Sequence, residues 1–245
     1  MNSSNKDVKA VLLVGGLGTR LRSVVTSAPK PMAAVGDRPF LELLVRQLSC
    51  QDIRRLVLCT GYRAQQIESA LGDGHAWDAT IEYSRETQPL GTAGAVKFAE
   101  PLLRDCSDFL VMNGDSFMEM DFRDLLHFHR ESGGIASMAV FRTKNEKRYG
   151  TVQAGADGLV SGFLEKSDAD QNGLVNAGVY AFSRRILDYI PEGASSLERD
   201  IFPRVLSQGV FASEQQGVFI DIGTPDDYAR AQGLCDRLYD AARGK

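Results

Sequence analysis

The sequence predicts an α/β fold: a mostly parallel mixed sheet held between two layers of helices. Three observations predict it. Short apolar runs alternate with helix-spaced segments through the first half of the chain. The first of these runs, 8–14, ends in glycines, as the strand-to-loop turns of buried parallel strands do. The 245 residues are 43% hydrophobic and 24% charged, enough to bury a sizeable core.

Each element follows from its own pattern. Residues 8–14 form the first strand. Residues 39–48 carry Phe40, Leu43, Leu44 and Leu48 at helical spacing. Strands are expected at 56–60, 80–84 and 109–112, each followed by a helix, at 64–71, 92–99 and 122–130. This order argues for helices on both faces of the sheet. The second half is richer in strands, at 135–142, 150–153, 159–164 and 175–182, with the turn pair Asp157-Gly158 between two of them. Helices are expected at 184–189 and 197–206, a last strand at 218–222 and a closing helix at 225–238. Pro225 suits the first turn of that helix. No repeat, low-complexity stretch or linker interrupts the chain. We therefore read 1–245 as a single domain, with a nucleotide-binding half at about 1–132 and a strand-rich sugar-binding half at about 133–245.

Composition narrows the function classes. A net charge of −4 argues against a general nucleic-acid binder, while local cations can still hold a small anion. Cys50, Cys59, Cys106 and Cys235 form no Cys-x-x-Cys pair and read as buried free thiols. The polar N-terminus has no signal-like apolar core, and no apolar stretch reaches the ~18 residues of a membrane span. The expectation is a cytoplasmic protein without membrane contact. A homo-oligomer is compatible with the sequence.

The most informative segment follows the first strand. Gly15, Gly16 and Gly18 let backbone N–H groups approach an anion closely. Arg20 and Lys30 add two cations, which together with a row of amides suit a triphosphate. A Walker loop would need Gly-Lys-Ser/Thr, and here Gly18 is followed by Thr19 and Arg20. The dinucleotide fingerprint fails because Leu21 stands where its third glycine belongs. A tight turn with a surface arginine is the plainer reading of the glycines alone; Thr19, Arg20, Pro29, Lys30 and Pro31 together favour phosphate binding.

This wording, Gly15-Gly-Leu-Gly-Thr-Arg-Leu-Arg22 with Pro29-Lys-Pro-Met32, resembles the signature of the sugar-phosphate nucleotidyltransferases. The resemblance implies a Rossmann-like core, a nucleoside triphosphate and a sugar 1-phosphate as substrates, pyrophosphate release and Mg²⁺. It also places Leu13 and Pro89 beside the nucleotide. Many members have Pro-Leu-Thr where this chain has Ser23-Val24-Val25. That variant is most similar to the D-glycero-α-D-manno-heptose 1-phosphate guanylyltransferases, which make GDP-heptose for bacterial surface glycans.

Two aspartates stand at expected strand ends: Asp115 in Asn113-Gly114-Asp115, and Asp221 in Phe219-Ile-Asp-Ile-Gly-Thr-Pro225. Ligand sites in open α/β sheets lie at that edge. Mg²⁺ takes one or two carboxylates with phosphate oxygens and water, so the pair suits a nucleotide–metal complex. Each could alone be a turn or cap residue; both match metal-binding aspartates of the resembled family. The Asp-x-Asp motif of related glycosyltransferases is missing, since Ser116 and Phe117 follow Asp115. His127 and His129, two apart on a helix, face different directions and form no metal site.

The remaining candidates lie further along. Glu86 precedes Pro89-Leu-Gly91, where pyrimidine-using relatives often place a base-reading glutamine. Guanine presents two adjacent donors that a carboxylate can accept, so Glu86 is a candidate guanine reader, or else a solvated strand-end glutamate. Gly91 and Gly94 would admit a flat base or ribose, and Thr92 at a helix start could add donors. For the sugar phosphate the candidates are Asn113, Gly114, Tyr149, Gly150, Glu165, Lys166, Asn176 and Gly178. Glu165-Lys166 matches the family's Glu-Lys pair and could otherwise be a surface ion pair. Arg148-Tyr-Gly150 resembles a sugar-flanking loop. The expected activity is transfer of GMP from GTP to a sugar 1-phosphate, with Arg20, Lys30 and Asp115 catalytic and Mg²⁺ on Asp115 and Asp221. A mannose 1-phosphate or N-acetylmuramic acid 1-phosphate enzyme, the latter with UTP, and a non-catalytic sensor on the same fold stay open.

Overall fold

The structure is a computed structural model and describes residues 8–21, 23–26, 28–143, 151–164 and 173–244. Its elements run β1 (Lys9–Leu13), β2 (Ala34–Val35), β3 (Arg38–Pro39), α1 (Phe40–Cys50), β4 (Arg55–Thr60), α2 (Ala64–Leu71), β5 (Thr80–Arg85), α3 (Gly91–Phe98), β6 (Asp108–Asn113), β7 (Ser116–Met118) and α4 (Phe122–Ser132). They continue with β8 (Ala136–Thr143), β9 (Thr151–Ala154), β10 (Val160–Leu164), β11 (Gly173–Ser183), α5 (Phe202–Val205), β12 (Val210–Glu214), β13 (Phe219–Asp221), α6 (Pro225–Gly233) and α7 (Cys235–Ala242).

Among the described residues, the main sheet has nine strands. Seven run in the order β10-β9-β11-β6-β1-β4-β5, and β8 joins β11 to β12. β1 is parallel to both β4 and β6, and its last residue, Leu13, lies level with Cys59 and Asn113. Three carboxyl ends therefore meet at one height, and the loops after them share one edge. β11 is long enough to serve both halves. Residues 179–183 pair antiparallel with β6, and residues 174–175 pair with β9. The fold is thus the mostly parallel mixed sheet with flanking helices that the βα alternation predicts.

Alternation within each strand splits the core in two. In β1, Ala10 and Leu12 face a cluster built with α1, α2, α4 and α7, while Val11 faces a second one built with α3, α5 and the 186–201 segment. Burial of such side chains contributes about 25 cal/mol per Å² of apolar surface. No helix among the described residues is long and apolar enough to cross a membrane.

Three expectations change. The helix expected at 197–206 is a π turn at Leu197–Ile201 followed by the short α5. Pro203 explains the break: without an N–H it fits only a first turn, so the helix restarts beneath it. The closing helix is two, because Gly233 ends α6 and Leu234 leaves helical geometry with φ −109° and ψ 9°. The thiols are not uniformly buried, since Cys50 is exposed and Cys235 half-buried. Strands β2, β3, β7 and β12 were not anticipated.

Candidate active site

The glycine loop and the lysine turn are packed onto one another. Gly18 has φ +60°, and a Cβ there would sit 2.8 Å from Lys30 Cβ. Only glycine accepts both that conformation and that approach. The next three residues form a 3-10 turn, closed by the Leu21 N–H donating to Gly18 O at 3.1 Å. Leu21 is buried and anchors the turn, while Thr19 and Arg20 stay exposed. Lys30 begins a second 3-10 turn between Pro29 and Pro31, both buried. The two rings fix φ on either side of it, and the Ala33 N–H donates to Lys30 O at 3.0 Å.

A small second sheet delivers the aspartates. β13 pairs antiparallel with β7, setting Asp221 opposite Ser116, and the Ile222 N–H donates to Asp115 O at 2.9 Å. The Lys30 ammonium then donates to the Asp115 carboxylate and lies 3.8 Å from Asp221 Oδ1. Lys30's side chain is only 9% exposed, so the contact is sheltered. Burial raises the Asp221 carboxyl above the ordinary carboxylate range, the Asp115 charge raises it further, and Lys30 partly opposes both. Asp221 does not cap α6; Thr224 does, accepting from the Asp227 N–H. Leu13, Gly16, Thr19, Arg20, Lys30 and Asp115 line one cleft of about 540 Å³, part of it open to solvent.

Among the described residues, no three histidine, cysteine, aspartate or glutamate side chains group as a metal site. His127 is exposed, while His129 is buried with Nδ1 3.0 Å from Ser137 Oγ.

Glu86 follows β5 and turns inward. Its Oε2 accepts the Leu90 N–H at 2.9 Å, so one oxygen closes the 86–90 loop. Its Oε1 lies where a side chain on Gly15 would be, 2.1 Å from the Cβ position. Burial raises its pKa, and the Leu90 N–H partly offsets this. The carboxylate thus touches the glycine loop, while Pro89 is exposed.

Gly91, Thr92 and Gly94 pack against the 193–198 segment, and Gly94 also lines a cavity with Glu86. A Cβ on Gly91 would lie 2.5 Å from Ser195 O, and one on Gly94 2.2 Å from Gly193 O. The Ala93 and Gly94 N–H groups both donate to Ser195 O, at 2.9 and 3.3 Å, which uses donors at the helix start. The Thr92 hydroxyl donates to Glu198 Oε2 at 3.1 Å and accepts the Leu197 N–H at 2.8 Å.

At the same sheet edge, Asn113 ends β6 and the Gly114 N–H donates to Leu13 O at 3.0 Å. Gly178 sits in a bulge of β11 at φ +73°, and a Cβ there would meet Asn113 Nδ2 at 2.6 Å. Asn176 Oδ1 accepts the Gly178 N–H at 2.9 Å, and its Nδ2 donates to the Tyr180 hydroxyl at 2.8 Å. Arg148, Tyr149, Gly150, Glu165 and Lys166 lie outside the described residues.

Sequence reasoning missed two supports. The first is Tyr180, fully buried, whose hydroxyl lies 3.0 Å from Glu198 Oε1. The second is a clasp from α6. Tyr228 and Gln232 both donate to Ala34 O at 2.6 Å, and Gln232 Oε1 accepts the Gly36 N–H at 2.9 Å. Arg230 donates to Phe219 O at 2.7 Å. One helix thereby ties the hairpin after Lys30 to the strand carrying Asp221. A polar residue on each turn of α6 was the only available signal.

A cleft at the carboxyl edge of such a sheet, with a glycine turn and a lysine shared by two aspartates, is chemically suited to an anionic ligand and defines an α/β protein of the open-sheet class. The nucleotidyl transferase family model matches residues 9–236, and the chain belongs to that family. It is 37% identical over 227 residues to the mannose-1-phosphate guanylyltransferase of Mycobacterium tuberculosis, covering 91% of this chain and 63% of that protein. It is 33% identical over 230 residues to the mannose-1-phosphate guanylyltransferase catalytic subunit beta of Drosophila melanogaster, covering 93% of this chain and 62% of that protein. The chain thus spans somewhat under two thirds of the length of these curated relatives. Among solved structures, HddC from Yersinia pseudotuberculosis complexed with GMP-PN matches with a TM-score of 0.83 at 31% identity. That match covers 92% of this chain and 98% of that one.

Proposed function

We propose that this protein transfers GMP from GTP to a sugar 1-phosphate, giving a GDP-sugar and pyrophosphate. The observation that carries the reading is the sheltered Lys30 ammonium, which reaches Asp115 and Asp221 beside the glycine loop. The guanine choice is supported by the named activities of the mannose-1-phosphate guanylyltransferases and by the likeness to HddC complexed with GMP-PN.

The donor set fits a hard cation. Burial, and after it the neighbouring Asp115 charge, raise the Asp221 pKa, and Mg²⁺ takes one or two carboxylates with phosphate oxygens and water. Bound there, Mg²⁺ would neutralise charge on the phosphate oxygens. The chain's own residues do the rest. Arg20 and the N–H groups of 15–19 grip the triphosphate. Lys30 balances charge at the α-phosphorus. Asn113, Gly114, Asn176 and Gly178 hold the sugar phosphate, with Tyr149, Gly150, Glu165 and Lys166 completing that side. The attacking phosphate oxygen is already an anion, so no general base is needed. Alignment and charge neutralisation carry the rate. Glu86 is the base reader in this scheme, with Oε1 as its free acceptor.

For the sugar, D-glycero-α-D-manno-heptose 1-phosphate is our first reading, because Ser23-Val24-Val25 is most similar to that subgroup; the product would serve bacterial surface glycans. Mannose 1-phosphate is the second, favoured by the 37% identical relative. The two share a manno ring and differ beyond C5. Pyrophosphate release, measured for four nucleotides against a panel of sugar 1-phosphates with Mg²⁺, tests the proposal. GTP with one manno sugar should give the fastest turnover. No release with any pair would reduce the protein to a sensor.

A further inference from the structure

Three hydroxyls converge on the Glu198 carboxylate, and each is itself an acceptor. The Thr92 hydroxyl accepts the Leu197 N–H at 2.8 Å and lies 3.1 Å from Glu198 Oε2. The Ser196 hydroxyl accepts the Arg199 N–H at 3.3 Å and lies 2.9 Å from the same oxygen. The Tyr180 hydroxyl lies 2.8 Å from Asn176 Nδ2 and 3.0 Å from Glu198 Oε1.

A hydroxyl has one proton to give. A carboxylate only accepts, so all three protons point at Glu198. Burial, and the Glu198 charge after it, push the Tyr180 phenol well above its ordinary pKa, so that proton stays on the phenol. The Tyr180 oxygen must then accept from Asn176. An amide can meet it with NH₂ or with oxygen, and only NH₂ is compatible. The Asn176 oxygen consequently faces the Gly178 N–H, at 2.9 Å. One Nδ2 hydrogen of this half-buried side chain is left without an assignment by these bonds.

We propose that Glu198 and Tyr180 are positioning residues that set the polarity of Asn176, committing it to donate that remaining N–H to a sugar hydroxyl. The inference rests on the reading of Asn176 as a sugar-binding residue. The substrate oxygen there accepts a hydrogen bond, and a sugar lacking that oxygen leaves a sheltered donor unpaired. Glu198 touches no substrate; its effect passes through Tyr180. In Glu198→Gln the side-chain NH₂ can donate to the Tyr180 oxygen. The phenol can then turn its proton to Asn176, so Tyr180 no longer commits the amide and only the Gly178 N–H still holds its orientation.

The test uses the full chain, GTP and whichever of the two manno sugar 1-phosphates turns over faster, with its monodeoxy analogues. Wild type should discriminate against one monodeoxy analogue. Glu198→Gln should raise the KM for the sugar phosphate about tenfold, a typical loss for one buried hydrogen bond. It should leave the KM for GTP within about twofold. It should also lose most of the discrimination against that one analogue while keeping the others. Tyr180→Phe preserves the ring packing and should reproduce the pattern if Glu198→Gln folds poorly. Equal losses on all sugars, a parallel rise in the KM for GTP, or unchanged kinetics would overturn the inference. Asn176→Ala separates the two levels. If it leaves the KM for the sugar unchanged, the sugar-site reading fails. If it raises that KM while both positioning variants are silent, only the polarity inference fails.

Discussion

Asp115 and Asp221 share one lysine, whereas Glu198 shares three hydroxyls. The first grouping is a net negative cluster: two carboxylates, one ammonium, and the Asp221 carboxyl raised by burial and by its neighbour. The second has every oxygen bond supplied by a neutral O–H donor. Both groupings keep one net negative charge, so access separates them: Asp115 lines a cleft partly open to solvent, where a cation can reach it. The Glu198 carboxylate is spent on three hydroxyls of its own chain, and its role is to hold its neighbours still. Similar residue types thus divide into a group suited to chemistry and one suited to geometry.

The sharpest way to break that contrast is Asp115→Ala. Turnover should fall at least about 100-fold, the scale of a lost charge-stabilising group. The melting temperature should stay within about 4 °C, because Lys30 keeps Asp221. Pyrophosphate release and a thermal melt check both halves, and retained turnover would remove Asp115 from the chemistry. Glu198→Ala should do the reverse in stability. Three hydroxyls lose their acceptor, costing about 2–4 kcal/mol by denaturant titration. A loss under about 0.5 kcal/mol would mean that the hub is not structural.

Glu86→Gln tests a carboxylate between the two extremes, one oxygen spent on the Leu90 N–H and the other beside Gly15. The ratio of kcat/KM for GTP over UTP should change about tenfold. An unchanged ratio would exclude Glu86 from base reading.

The smallest effect concerns His129, a buried group with a hydroxyl partner away from the cleft. Burial depresses its pKa below the ordinary 6.5. As pH falls below that value, the unfolded chain binds a proton that the folded one refuses, so stability drops. His129→Gln should flatten the fall in denaturation midpoint between pH 7 and pH 5. An unchanged slope would place the acid sensitivity elsewhere.

Much of the fold was legible because it rests on local pattern. The α2 helix at Ala64–Leu71 needed only its spacing, and β1 only its apolar run and glycines. Apart from the short local β2–β3 hairpin, the missed strands have non-local causes. β12 is five residues whose partner, β8, lies some seventy residues earlier, and β7 is three residues completed by β13. Of the site, Gly18, Lys30, Asp115 and Asp221 do gather at one cleft. Gly91 and Gly94 were harder, since the backbone they admit is that of 193–195, which no nearby residue announces. Tyr180 and Glu198 read as ordinary strand and helix residues until the fold brings them together.

The clasp of α6 on the first hairpin sets an order of events during synthesis. Lys30 leaves the ribosome early, yet the donors that hold the hairpin beyond it, Tyr228 and Gln232, emerge about two hundred residues later. At typical elongation of about 5–20 residues per second, that gap is some ten to forty seconds. Through that interval the sheet can assemble while the hairpin beyond Lys30 waits for its fastening. A nascent chain arrested before residue 228 should therefore carry the strands of the main sheet with an unfastened lysine turn, and the core face that α7 covers should still be open.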